Sequence, residues 1–143
     1  MHPFLHWIFK LQILPSDPDI NLLLLRLGVA WGFIRVHAWK KLADLKSAAE
    51  YLPDPLGIGG EASLWLVLTI NTCCAVCVGA GFLTRLNAGI AFIVTFTGLV
   101  IVHASDSWVV KDVPWMYSLV FLAIILGGAG RYSADHWLRQ AFQ

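Results

Sequence analysis

The stretch Ala62–Thr84, ASLWLVLTINTCCAVCVGAGFLT, holds no Asp, Glu, Lys or Arg in 23 consecutive positions. Glu61 and Arg85 bound it. A bilayer's hydrocarbon core is about 30 Å thick and a helix rises about 1.5 Å per residue, so roughly 20 apolar residues cross it. Leu86 to Ser105 is a second such run of 20 positions and Val113 to Gly130 a third of 18. Strands are excluded, because an open sheet edge leaves its backbone unsatisfied in lipid and these runs do not alternate.

Composition agrees. The chain has 143 residues, 58% of them hydrophobic and 13% charged, with a mean hydropathy of +0.70. Soluble domains carry about 25% charged residues. Half that share, with a net charge of +1, excludes a disordered tail, a basic nucleic-acid binder and an ordinary soluble enzyme.

Upstream, Ile20–Trp39 has the right length but contains Arg26 and Arg35. Its ten strongly apolar residues favour insertion by about 0.3 to 0.6 kcal/mol each. Each off-centre arginine costs less than the roughly 2.5 to 3.5 kcal/mol of a central one, so the balance stays mildly favourable. His2, His6 and Lys10 form one polar stripe against Phe4, Trp7, Ile8 and Leu11, a pattern for a helix lying in the headgroup plane. The expected architecture is therefore all-α, a single integral membrane domain over 1–143. It is a four-helix bundle with spans about 20–39, 62–84, 86–104 and 113–130, preceded by an interfacial amphipathic helix about 2–14. Asp19 is expected to cap the first span, and Asp112-Val-Pro114-Trp115 reads as the start of the fourth. Pro53 to Gly60 reads as turn chemistry.

Four spans put both termini and the Arg85 turn on one membrane side. Basic residues divide five against five between the two sides. The short Arg85 turn and the C-terminal arginines flank their spans closely, which leans the termini toward the cytoplasm.

Arg26 is the most informative position. Ala30, Phe33, His37 and Lys41 share its helical face, and ionisable groups inside a span face a bundle interior or a wet cavity. Two readings follow: a polar seam holding an anionic or quinone-like ligand, or a structural bond to another helix's carbonyl. Asn71 lies mid-span on the second helix, as interhelical glue or as a ligand donor facing Arg26. His37 and His103 end the first and third spans on one membrane face, where such a pair can ligate a haem or relay protons, although plain interfacial histidines are commoner. Cys73, Cys74 and Cys77 include a C-x-x-C, but within a span small residues serve close helix packing and no second pair completes a metal site. Arg35, on the opposite side of its helix from Arg26, reads as a snorkelling end-of-helix residue. Trp39, Trp108, Trp115 and Trp137 fall at expected interfaces. No Ser-His-Asp set, phosphate loop or spaced carboxylate pair can be assembled.

Leu25-Arg26-Leu27-Gly28, then His37, then Lys41-Leu42, resembles an arginine followed by H-G-x-x-K-L in the DoxX family. Gly81-Phe82-Leu83-Thr84-Arg85 resembles its G-L-L-T-R turn, Val102-His103 its histidine after helix three, and Gly127 to Asp135 its closing G-P-G-R-x-S-x-D. The resemblance implies a four-helix membrane protein related to the small subunits of thiosulfate:quinone oxidoreductases and archaeal quinol oxidases. Asn71 stands where the family often carries glutamate, Ala38 where it has glycine, and Ala129 where it has proline. Loss of that carboxylate removes a proton acceptor and a counter-ion for Arg26.

The expected function is that of a DoxX-like membrane subunit of a redox system in a bacterial inner membrane. It is expected to bind a quinone or similar hydrophobic molecule, or less readily a haem, among Arg26, His37, Asn71 and His103. Any enzymatic role would be as an oxidoreductase subunit, not a self-contained enzyme. Expected partners are the lipid bilayer and a larger redox protein or a second copy of the chain, with no nucleic acid. The alternative is a non-enzymatic assembly or cargo-binding partner of a larger protein.

Overall fold

The computed structural model describes residues 17–51, Asp54 and residues 57–143; the expected interfacial helix about 2–14 lies outside them. Six helices follow in chain order. They are α1 (Pro18–Ala43), α2 (Leu45–Tyr51), α3 (Gly60–Ala80), α4 (Thr84–Val102), α5 (Trp108–Gly127) and α6 (Ala134–Ala141). Helices α1, α3, α4 and α5 are each long and apolar enough to cross a membrane. α1 lies against α3 and α5, and α4 joins α3 to α5, so the four close into an up-and-down bundle. The chain is an all-α membrane bundle.

Burying an apolar side chain against protein instead of lipid gains no hydrophobic free energy, so such a bundle is held by close van der Waals packing and interhelical bonds. Its core is accordingly rich in small residues: Ala30, Cys74, Ala75, Ala88 and Ala91 are all buried, around Phe33, Val78, Phe121 and Ile124. The outward faces carry Leu24, Trp31, Leu66, Val76, Ile93 and Leu126, the surface that lipid covers. Trp39, Trp108, Trp115 and Trp137 are all exposed, and so is Arg35.

Several boundaries differ from the sequence-based expectation. The cap of α1 is Asp17, whose Oδ1 accepts from the Asp19 N–H at 2.9 Å, with Pro18 in the first turn; Asp19 turns to another task described below. α3 stops at Ala80 and does not run to Thr84, because Gly81 adopts the left-handed conformation (φ 73°, ψ 35°) and closes the helix with bonds to Cys77 and Val78 carbonyls. α5 begins at Trp108, with Ser107 as its extended N-cap, so Pro114 lies inside the helix. Pro114 removes one backbone donor there, and the Ser118 hydroxyl occupies the Pro114 carbonyl at 2.7 Å.

Two stretches, Ile34–Trp39 in α1 and Gly98–Val102 in α4, are wound as π-helix. Wider turns shift the helical phase, so ideal spacing from Arg26 does not carry through to His37. Before α3, Asp54 collects the turn: its carboxylate accepts from Gly59 N–H and from the Ser63 hydroxyl, both at 2.7 Å. Those bonds, that from Ser63 foremost, hold its carboxyl below the usual range.

Candidate functional site

Arg26 looks inward. It is fully buried, and its Nη2 donates to the Tyr132 carbonyl at 2.6 Å while Nη1 donates to the Val78 carbonyl at 3.4 Å. The Val78 carbonyl, in the last turn of α3, also accepts from the Gly81 N–H at 3.1 Å, and Tyr132 belongs to the loop after α5. The guanidinium thus ties three segments together at one end of the bundle.

The rest of that corner is built the same way. Asp135 accepts from the Leu83 N–H at 2.7 Å and from the Thr84 N–H and hydroxyl at 2.9 and 2.8 Å, capping α4 from across the molecule. Its own N–H donates to the Gly81 carbonyl at 2.8 Å. Asp19 accepts from the Arg131 N–H at 2.8 Å, and the Arg131 side chain pairs with Asp17 at 3.0 Å. Both stretches resembling the family's turn and closing motifs therefore meet here, and they meet in order to close the fold.

Burial pushes the Asp135 carboxyl up, but the bonds from Thr84 and Leu83 and the charge of Arg139 outweigh it and leave the group below its ordinary value. A depressed folded value means stability that is present above the unfolded pKa of about 3.9 and is lost as pH falls through the folded one. Asp135→Asn is expected to lose about 1 to 2 kcal/mol at neutral pH. It is also expected to flatten the acid limb of the stability profile, measured as Tm against pH between 3 and 7. An unchanged acid limb would refute the assignment.

About halfway up the bundle lies a second set of polar groups. Arg26 opposite Val78, and Ala38 packed with Leu64 and Leu68, set α1 and α3 antiparallel and bring Asn71 level with Phe33, one turn from His37. Ring contacts of Phe33 with Phe121 at 5.1 Å and of His37 with Tyr117 at 5.2 Å do the same for α1 and α5. Thr95 and Ser118 join α4 to α5, hydroxyl to hydroxyl at 3.1 Å. Each spanning helix thus contributes to one polar layer: His37, Asn71, Thr95, and Tyr117 with Ser118. Thr95 and Ser118 are satisfied by carbonyls of their own helices. His37 Nε2 and Asn71 Oδ1 are buried with no hydrogen-bond partner among the described residues.

The four residues expected to line one pocket therefore separate. His37 and Asn71 share the polar layer. Arg26 sits about 10 Å from the level of Asn71, seven residues of α3 at about 1.5 Å each, and further still from His37, eleven residues along α1. His103 follows α4, with Nδ1 held by Asp106 at 2.7 Å. Tyr117, Ser118 and Thr95 escaped the sequence reading; the available signal was polar residues recurring mid-span. Cys73 is exposed, Cys74 buried and Cys77 half-buried, so the three thiols do not share one setting.

Beside the polar layer, an apolar groove of about 290 Å³ runs between α1 and α5, lined by Leu24, Leu25, Gly28, Val29, Met116, Tyr117 and Val120. Tyr117 belongs to both, its hydroxyl lying over Gly32, where an added Cβ would come within 3.0 Å.

Four apolar helices closed round an internal polar layer define an integral membrane protein with a buried polar site. A family model, DoxX, matches residues 21–104, and the chain belongs to the DoxX family. The match takes in Arg26, His37, Asn71, the Gly81–Arg85 turn and His103, and ends before the Gly127–Asp135 loop. Comparisons with curated proteins and with solved structures returned no match.

Proposed function

We propose that this DoxX protein is a membrane subunit of a redox system that holds a quinone or similar hydrophobic molecule, its polar end in the His37–Asn71 layer. The observation that supports this is that His37 Nε2 and Asn71 Oδ1 are buried and unpartnered among the described residues, as is Arg26 Nε at the far corner. A buried polar atom left unpaired costs about 1 to 3 kcal/mol, and its persistence calls for a partner. A quinone supplies two carbonyl acceptors on an apolar ring and a two-electron, two-proton couple when bound. His37 offers an Nε2 that can donate to such a carbonyl or exchange a proton with it. The amide of Asn71 orients the ring from the facing helix. Leu24, Leu25 and Val120 offer an apolar track for a tail, ending at Tyr117. Arg26 takes no part in this, its terminal nitrogens being spent on the chain's own carbonyls. Nor do the separate settings of His37 and His103 favour a haem.

The reading places the chain in a bacterial cell membrane, with the Arg26 corner on the cytoplasmic side. The assembly-partner alternative draws support from Arg26 itself, which serves the fold; crosslinking in native membranes that finds one stoichiometric partner and no retained quinone would favour it. Asn71→Leu separates the two. An unpaired buried amide replaced by an apolar side chain of similar size is expected to leave Tm unchanged or raise it. Under the proposed function the same variant, like His37→Phe, loses quinone from the purified protein, read by solvent extraction and chromatography. Full quinone retention in both variants would overturn the proposal.

A further inference from the structure

All nine acidic side chains of the chain lie among the described residues. Arg131 takes Asp17 and Asp19, and His103 takes Asp106, whereas Arg85 and Arg139 enter no ion pair. Both of these arginines line a groove of about 1080 Å³ at the bundle end where α3 and α5 end and α4 begins. The carboxylates that face it are already engaged, Asp19 by the Arg131 N–H and Asp135 by those of Leu83 and Thr84.

Arg85 reaches into this groove over Gly128. A Cβ at Gly128 would lie 3.3 Å from Arg85 Nη2, and the residue's φ of +81° already excludes most side chains. The guanidinium therefore rests on bare backbone. Beside polar groups such as Ser133 and His136, the wall carries open apolar side chains: Leu86, Leu138 and Phe142 are 60, 41 and 86% exposed. α6, which carries Leu138 and is capped by Phe142, also exposes Trp137 and presents a polar side with His136, Arg139 and Gln140. Such a helix at the level where the spans end suits the headgroup plane.

We propose that this groove binds one acidic phospholipid, its phosphate between Arg85 and Arg139 and its acyl chain along Leu86 and Phe142. Two guanidiniums with no salt-bridge partner call for an anion, even with the charge of Asp135 near Arg139, and the apolar side chains beside them call for an anion carrying hydrocarbon. The bilayer that surrounds the spans supplies both in one molecule. The inference is independent of the quinone reading.

Native mass spectrometry of the delipidated full chain tests it, with phosphatidylglycerol and phosphatidylcholine of identical acyl chains as probes. One phosphatidylglycerol is expected to bind in clear preference. Removing two basic contacts at about a fivefold loss each is expected to weaken it roughly twenty-five-fold in R85Q/R139Q. R85K/R139K keeps the charge and is expected to keep most of the preference. Equal binding of the two lipids to the native chain would overturn the proposal, as would retained preference in the glutamine variant. Displacement of the lipid by millimolar inorganic phosphate would also overturn it, in favour of a free-anion site. Should the glutamine variant fail to fold, the lipid comparison on the native chain and the lysine variant still decide.

Discussion

Replacing Arg26 by leucine is expected to lower the Tm of the detergent-solubilised protein by about 10 °C. The variant takes the charged donor from the Tyr132 carbonyl and leaves the Val78 carbonyl only its bond from the Gly81 N–H. Breaking a buried charged contact costs about 3 to 5 kcal/mol, and a chain of this size loses roughly 2 to 4 °C per kcal/mol. Arg26→Lys is expected to recover little, because a single ammonium on a flexible stem cannot hold two carbonyls in the fixed geometry of a guanidinium fork. The same experiment separates a structural from a ligand-binding arginine. Folded Arg26→Leu protein should retain quinone in proportion to its folded fraction. A variant of native Tm that has lost its quinone would return Arg26 to the ligand site.

Gly81→Val should be comparably severe for a different reason. At φ 73° an L-residue with a side chain is strained by about 1 to 2 kcal/mol. The new Cβ would also overlap Arg26 Nη1 and come within 2.9 Å of the Ser133 Cα. A side-chain collision can be relieved by a rotamer change, but one with backbone cannot, so the loop carrying Tyr132 must move off the arginine. The summed loss is about 3 to 5 kcal/mol, again readable as Tm in detergent. Gly89→Ala is the control: nothing lies within 4 Å of its added Cβ, and its helical backbone accepts alanine. It is expected to be neutral or slightly stabilising. Equal Tm losses at Gly81 and Gly89 would mean that the corner holds nothing together.

Both predictions concern the same corner, and that corner explains why a polar seam was expected where the protein has two separate polar regions. Ideal spacing along α1 would put Arg26 and His37 on one face; the π-helical turn shifts that phase, yet the guanidinium and His37 Nε2 are both buried. Yet Arg26 is answered by carbonyls 52 and 106 residues away in the chain. The structural bond weighed beside the ligand-binding reading is the one the fold forms. Arg26 Nε, His37 Nε2 and Asn71 Oδ1 remain the buried polar atoms that lack a partner among the described residues.

Lipid solubility is a local property. Each apolar run declares its own crossing, and with it the number of spans and the all-α class. The inward direction of Arg26 is equally local, since hydrocarbon tolerates no bare guanidinium. Partners are not local. Which carbonyl meets Arg26, which helix Asp135 caps, and which hydroxyls join His37 and Asn71 in one layer all depend on the register in which four antiparallel helices slide past one another. That register is set by small side chains such as Ala75, Ala88 and Ala91 fitting against neighbours far along the chain, and no window of consecutive residues contains both halves of such a contact.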